Sequence, residues 1–156
     1  MTTSWTEYDE RSWEYQAGKA LAQMKCDGPL KNIKTEFVDL YESDQFDALA
    51  RKAMHLAVSQ NDPSQRWTLD DQVSLLATKQ HDYGHRNIEK FGQVGVRVRL
   101  WDKIARYENL MTRQGDASHE SLFDTLVDIV GYCAILAMVK NGTFSFPLQA
   151  ELNIED

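Results

Sequence analysis

The chain has 156 residues, enough for one hydrophobic core and short for two domains. With 17 Lys and Arg against 24 Asp and Glu, the net charge of −7 excludes a general binder of duplex nucleic acid, which needs a basic face. A local basic patch gripping one small phosphate ligand stays open, whereas two cysteines without metal-type spacing argue against a disulfide framework.

The N-terminus, MTTSWTEYDERSWEY, lacks the basic start and apolar stretch of a signal peptide, so a cytoplasmic setting is expected. Trp5, Tyr8, Trp13, Tyr15, Leu21 and Met24 predict a helix from about Glu7 to Lys25 that docks on the core, with Asp27-Gly28-Pro29 as terminator. Ile33, Phe37, Leu40 and Tyr41 share a helical face. Ser43-Asp44 then offers an N-cap to the stripe Phe46, Leu49, Ala50, Ala53, Met54, Ala57 and Val58. Residues 61–64 read as a loop. Thr68 can cap the next helix, Asp70 and Asp71 suit its positive end, and Val73, Leu76, Ala77 and Gln80 carry it to about Asp82.

The stretch HDYGHRNIEKFGQVGVRVRLWDK is the least core-like in the chain. Gly84, Gly92 and Gly95 predict a shaped loop or broken helix, with a helix resuming near Val96 through Leu100, Ile104, Tyr107 and Met111. Val94 to Leu100 alternates like a short strand but has no second strand to pair with. Residues 113–118 form a turn in which Asp116 or Ser118 can cap the central helix. This helix, Glu120 to Val139, is apolar on nearly every side in its second half and therefore buried. Its run from Leu126 to Val139 is interrupted by Asp128 and too short to span a bilayer, so no membrane is expected. Asn141-Gly142 ends the helix, and the tail with Pro147 reads as an arm of low intrinsic order. The fold expected is all-α: a helical bundle around a central antiparallel hairpin of helices 96–112 and 119–140.

Two groups of residues point to chemistry. Glu120, Asp124 and Asp128 are each four apart, so they form one helical stripe rising about 6 Å per step. Lys79, His81, His85, Arg86, Asn87, Lys90, Arg97, Arg99, Lys103 and Arg106 form a cationic and polar set. The short turn brings Lys103 and Arg106 opposite Asp124 and Asp128, with Asp102 on the same segment. The carboxylates can hold Mg²⁺, which takes oxygen ligands and can bridge to phosphate. They can instead salt-bridge to Lys103 and Arg106 and lock the hairpin, the reading that the residues alone favour. The glycine-rich cationic segment can wrap an anionic ligand or be ordinary solvated surface.

From Lys79 to Val139 the chain resembles the phage-associated family called the nucleotide modification associated domain. The resemblance is carried by Asp82-Tyr83-Gly84 with Asn87, Phe91-Gly92 with Gly95 and Arg99, Asp102-Lys103 with Arg106, and Glu120-Ser121 with Asp124-Thr125, Asp128 and Tyr132. It implies a family core over residues 79–142. Residues 1–78 would then be a helical region packed on it and 143–156 a C-terminal arm, all in one globular domain. More distantly, the acidic hairpin is similar to the MazG-like, all-helical NTP pyrophosphohydrolases, which hold Mg²⁺ between a Glu-x-x-Glu helix and an acidic partner helix. In place of those glutamates this chain has Asp102, Lys103, Ala105 and Arg106.

The resemblances imply a Mg²⁺-dependent phosphohydrolase or pyrophosphohydrolase acting on a free (deoxy)nucleotide, in the host cytoplasm if phage-encoded. Asp124, Asp128, Glu120 and Asp102 would hold the metal, with Lys103 beside the catalytic carboxylates. Lys79, Arg99 and Arg106 would neutralise phosphate, and Tyr83 and Asn87 would face base or sugar. The alternative is a non-catalytic protein that uses the same pocket to bind a nucleotide or a host factor. The missing Glu-x-x-Glu favours it. MazG-like helices complete their core by dimerising, so a homo-oligomer is expected.

Overall fold

The computed structural model describes residues 3–60, 62, 65–113 and 119–155, with the backbone alone for 119–121 and 153–155. Ser12 starts the first long helix: its Oγ accepts the Tyr15 backbone N–H at 3.1 Å, satisfying an amide that a helix start leaves bare. Helix α1 therefore runs Trp13–Cys26, later than the start expected near Glu7. Trp5–Glu7 close a separate 3-10 turn, and Trp5 lies where a Cβ on Gly18 would be.

Helices α2 (Phe37–Glu42) and α3 (Phe46–Val58) come next. The expected Ser43-Asp44 cap does not form. The Ser43 hydroxyl donates back to the Asp39 carbonyl at 2.7 Å, Asp44 takes a φ of 58°, and Gln45 stands at the N-cap without a side-chain bond that caps the helix. Helix α4 (Leu69–Tyr83) does begin on Thr68, whose Oγ1 accepts the Asp71 N–H at 3.1 Å. It stops at Gly84, where φ is 67°.

The segment expected as a shaped loop or broken helix is a broken helix, interrupted between α4 and α5 (Arg86–Glu89) and again before α6 (Gly92–Thr112), which starts earlier than the expected Val96. Gly92, at φ 59°, makes the corner between them. The alternation from Val94 to Leu100 wraps around a helix: Val96 and Leu100 are buried, while Val94 and Val98 face solvent. The caps expected at Asp116 or Ser118 lie outside the described residues. Helix α7 spans His119–Asn141 and ends at Gly142, φ 81°. Beyond it the tail is docked, and α8 covers Gln149–Glu155. The Trp13 N–H donates to the Pro147 carbonyl at 2.7 Å, the Gln149 N–H to Glu14 Oε1 at 3.0 Å, and Phe144 and Leu152 are buried.

The architecture is all-α, with no strand among the described residues. Its centre is α7, which packs most extensively on α6 and α3 and then on α1 and α4. Lys103 meets Asp128 and Arg106 meets Thr125. Positions rise on one helix as they fall on the other, so α6 and α7 are an antiparallel pair. Leu122–Asn141 is, by length and composition, long and apolar enough to cross a membrane, longer than the run counted from the sequence. More than half of it is buried inside the bundle.

A polar link joins α4 to α7 beneath this packing. Gln72, 2 % exposed, accepts the Trp67 indole N–H at 2.8 Å and donates to the Val127 carbonyl at 3.2 Å. Gln72→Leu leaves the buried Trp67 donor unpaired and should cost about 1–3 kcal/mol. Urea denaturation measures it, and an unchanged midpoint would mean that the link contributes nothing.

Candidate functional site

Glycine at position 131 of α7 fixes how closely α4 approaches. A Cβ there would sit 3.1 Å from Leu76 Cδ2 and 3.3 Å from Gln72 Nε2, tighter than most such contacts, so both side chains would have to shift by a few tenths of an ångström. Beside this contact lies a cavity of about 260 Å³. Lys79, Gln80 and Tyr83 of α4 line it, with Asn87 and Ile88 of α5, Arg99 of α6 and Asp128 and Tyr132 of α7. Trp13 and Phe144 line it too, from α1 and from the segment after α7.

Asp128 ties three helices together. Its Oδ1 meets Lys79 Nζ at 3.3 Å and its Oδ2 meets Lys103 Nζ at 3.1 Å, with 23 % of the side chain exposed. Arg99 is different. It is partly buried, lines the cavity, and has no hydrogen bond or ion pair among the described residues. The side-chain amides of Gln80 and Asn87 are likewise uncommitted among them. Of the charged residues lining the cavity, Lys79 and Arg99 are cationic and Asp128 is anionic, so an acidic chain carries a hollow with a small net positive charge. Low-dielectric walls strengthen its pull on an anion.

The structure brings some of the sequence-predicted residues together and leaves others apart. Lys79, Tyr83, Asn87, Arg99 and Asp128, spread over 50 positions, share the one cavity. Lys103 reaches it only through Asp128. Arg106 does not join: its Nε donates to Thr125 Oγ1 at 3.1 Å. Asp124 and Asp102 are exposed and outside the lining, and the Glu120 side chain lies outside the described residues. Trp13, Gln72, Gly131 and Phe144 were not singled out for the site from the sequence. The signal for Trp13 was its place in an aromatic-rich helix, which reads equally as core.

Comparisons with protein-family models, with curated proteins and with solved structures find no match for this chain. The site must therefore be read from its own chemistry.

Among the described residues the donor set does not assemble the magnesium cradle that the resemblance implies. Both oxygens of Asp128 are engaged by ammonium groups, and neither Asp124 nor Asp102 joins it in the cavity lining. No group of three or more His, Cys, Asp or Glu placed to hold an ion occurs among the described residues. Asp128→Asn should destabilise the fold by roughly 1–2 kcal/mol, because two partly exposed cations lose their shared partner. Thermal melts should not respond to Mg²⁺ in either protein. A magnesium-dependent rise confined to the wild type would restore the metal reading.

A second, more open cleft of about 390 Å³ lies between the ends of α1, α3 and α7, lined by Asp27, Asp44, Asp47, Arg51 and Lys140. Burial pushes the Asp47 carboxyl up, and a hydrogen bond with Asp27 and its charge push it further; Arg51 and Lys140 oppose the shift. A raised carboxylate pKa penalises the fold above that pKa, and the penalty fades as pH falls through it. Asp47→Asn should therefore melt above the wild type at pH 7. The gap should close as pH drops toward the ordinary carboxylate range, which a series of melts against pH would check.

Proposed function

We propose that the chain binds a free nucleotide, or another small phosphate ligand of that size, in the α4–α7 cavity. The observation that carries this reading is Arg99, a partly buried guanidinium without a partner among the described residues, in a cavity that also holds Lys79. A planar fork of donors suits phosphate oxygens. The volume, about 260 Å³, lies just below the usual range of small-molecule sites and suits one small ligand better than a longer one. The motifs around Tyr83, Asn87, Arg99 and Asp128 support the same reading by resemblance to the phage nucleotide modification associated domain.

Binding without turnover is favoured over phosphohydrolysis. Hydrolysis needs a group to activate water, and Asp128, the one carboxylate lining the cavity among the described residues, is held by two lysines. For self-association, Val94, Val98 and Trp101, exposed along one side of α6, supply apolar surface.

Calorimetric titration with nucleoside mono-, di- and triphosphates tests the proposal. Arg99→Gln should keep the fold and weaken binding about 10- to 100-fold, the loss of a charged hydrogen bond of roughly 1.5–3 kcal/mol. Undiminished affinity in that variant would remove Arg99 from the site. Magnesium-dependent product formation that Asp128→Asn abolishes would favour the phosphohydrolase instead.

A further inference from the structure

We infer that the cavity selects a phosphate monoester, held as its dianion without a metal ion, and rejects di- and triphosphates by charge and size. This rests on reading the cavity as a phosphate-ligand site, and adds to it the number of phosphates. Lys79 and Arg99 line the cavity with Asp128, and Lys103 joins them through the second oxygen of that carboxylate. Three cations and one carboxylate leave two positive charges in excess. A phosphate monoester carries about 1.5–2 negative charges at pH 7, so the two sets cancel.

A longer phosphate chain brings further negative charge, and no other cation lines the cavity among the described residues. The walls make that surplus costly. Leu76, Ile88 and Val127, each at most 8 % exposed, give the lining an apolar side where unpaired charge is poorly solvated. Magnesium offsets such a surplus where carboxylates are free to hold it. Here both Asp128 oxygens already face ammonium groups, and no second carboxylate lines the cavity among the described residues. Size points the same way, because about 260 Å³ leaves little room for a phosphate chain beside the rest of a ligand. A terminal phosphoryl group also offers three oxygens at one point, which suits the planar fork of Arg99 and the compact charge of Lys79.

The test is calorimetric titration of the full chain, in EDTA, with the mono-, di- and triphosphates of adenosine, guanosine, cytidine and uridine. In at least one series the monophosphate should bind about ten-fold more tightly than the triphosphate, and added Mg²⁺ should not reverse the order. The corresponding nucleoside 5′-sulfate has nearly the same shape and only about one negative charge. It should bind about ten-fold more weakly than the monophosphate. Asp128→Asn removes the lining carboxylate and should narrow the preference for mono- over diphosphate several-fold. Should that variant fail to fold, the comparison of phosphate with sulfate on the wild type still reads the charge requirement. A di- or triphosphate that binds as tightly as the monophosphate, with or without Mg²⁺, would overturn the inference and leave the phosphate site standing. So would a sulfate as tight as the phosphate, or a folded Asp128→Asn with the wild-type preference. If none of these compounds binds, both readings fall together.

Discussion

Helix α7 is apolar around most of its circumference, and such a helix is stable in water only when other elements enclose it. Leu126, Ile129, Val130, Leu136 and Met138 are each at most 1 % exposed. At roughly 1.5–3 kcal/mol apiece, with an extended chain as reference, their burial supplies on the order of 10 kcal/mol of gross driving force. That requirement places α1, α3, α4 and α6 around α7. It also decides where polar groups are allowed. Asp128 is tolerated because α4 and α6 each bring a lysine to it, and the cavity forms on the same side. The position of the site is thus a consequence of enclosing this helix.

The magnitudes separate what holds the fold from what is free to serve a ligand. Partly exposed pairs such as Lys79–Asp128 and Lys103–Asp128 contribute about 0–1 kcal/mol each, small beside the burial of α7. An incoming anion can therefore draw the lysines toward itself at little cost to stability. Arg99 needs no such exchange, since no carboxylate among the described residues competes for it. Arg97, two positions away, is spoken for: it pairs with Asp44 at 2.9 Å and lies over the rings of Tyr41 and Phe46. Two arginines on one helix thus divide their work by face.

How much was legible in the sequence depends on the reach of each physical signal. Local chemistry read well: Thr68 as a cap, the stops at Gly84 and Gly142, and α7 as the buried centre all depend on neighbours within a turn or two. The hairpin register was legible too, because a short turn fixes which residues face each other. The helical start of α6 was not. Three glycines and a valine–arginine alternation imitate a loop or strand, and burial of Val96 and Leu100 outweighed that local preference. Docking of the tail was equally hidden, since it depends on Trp13 and Glu14, more than 130 positions away in the chain. Within the site, Lys79 and Arg99 stood out as charges in a non-core stretch. Gln72 and Trp13 carried no such mark, because a buried polar group shows its role only through its partners.

The departure from the pyrophosphohydrolase pattern has a physical consequence. Where those helices carry glutamates to bind an ion, α6 carries Lys103, whose ammonium reaches the Asp128 carboxylate of the facing helix. A tethered ammonium neutralises a carboxylate and attracts phosphate much as a bound cation does. It has no open coordination position, though, and cannot lower the pKa of a bound water as a divalent ion does. On the proposed reading, a base in the place of an acid on this one helix favours holding a phosphate over cleaving it. Arg99, about one helical turn before Lys103 on α6, lines the cavity directly, whereas Lys103 reaches it through Asp128.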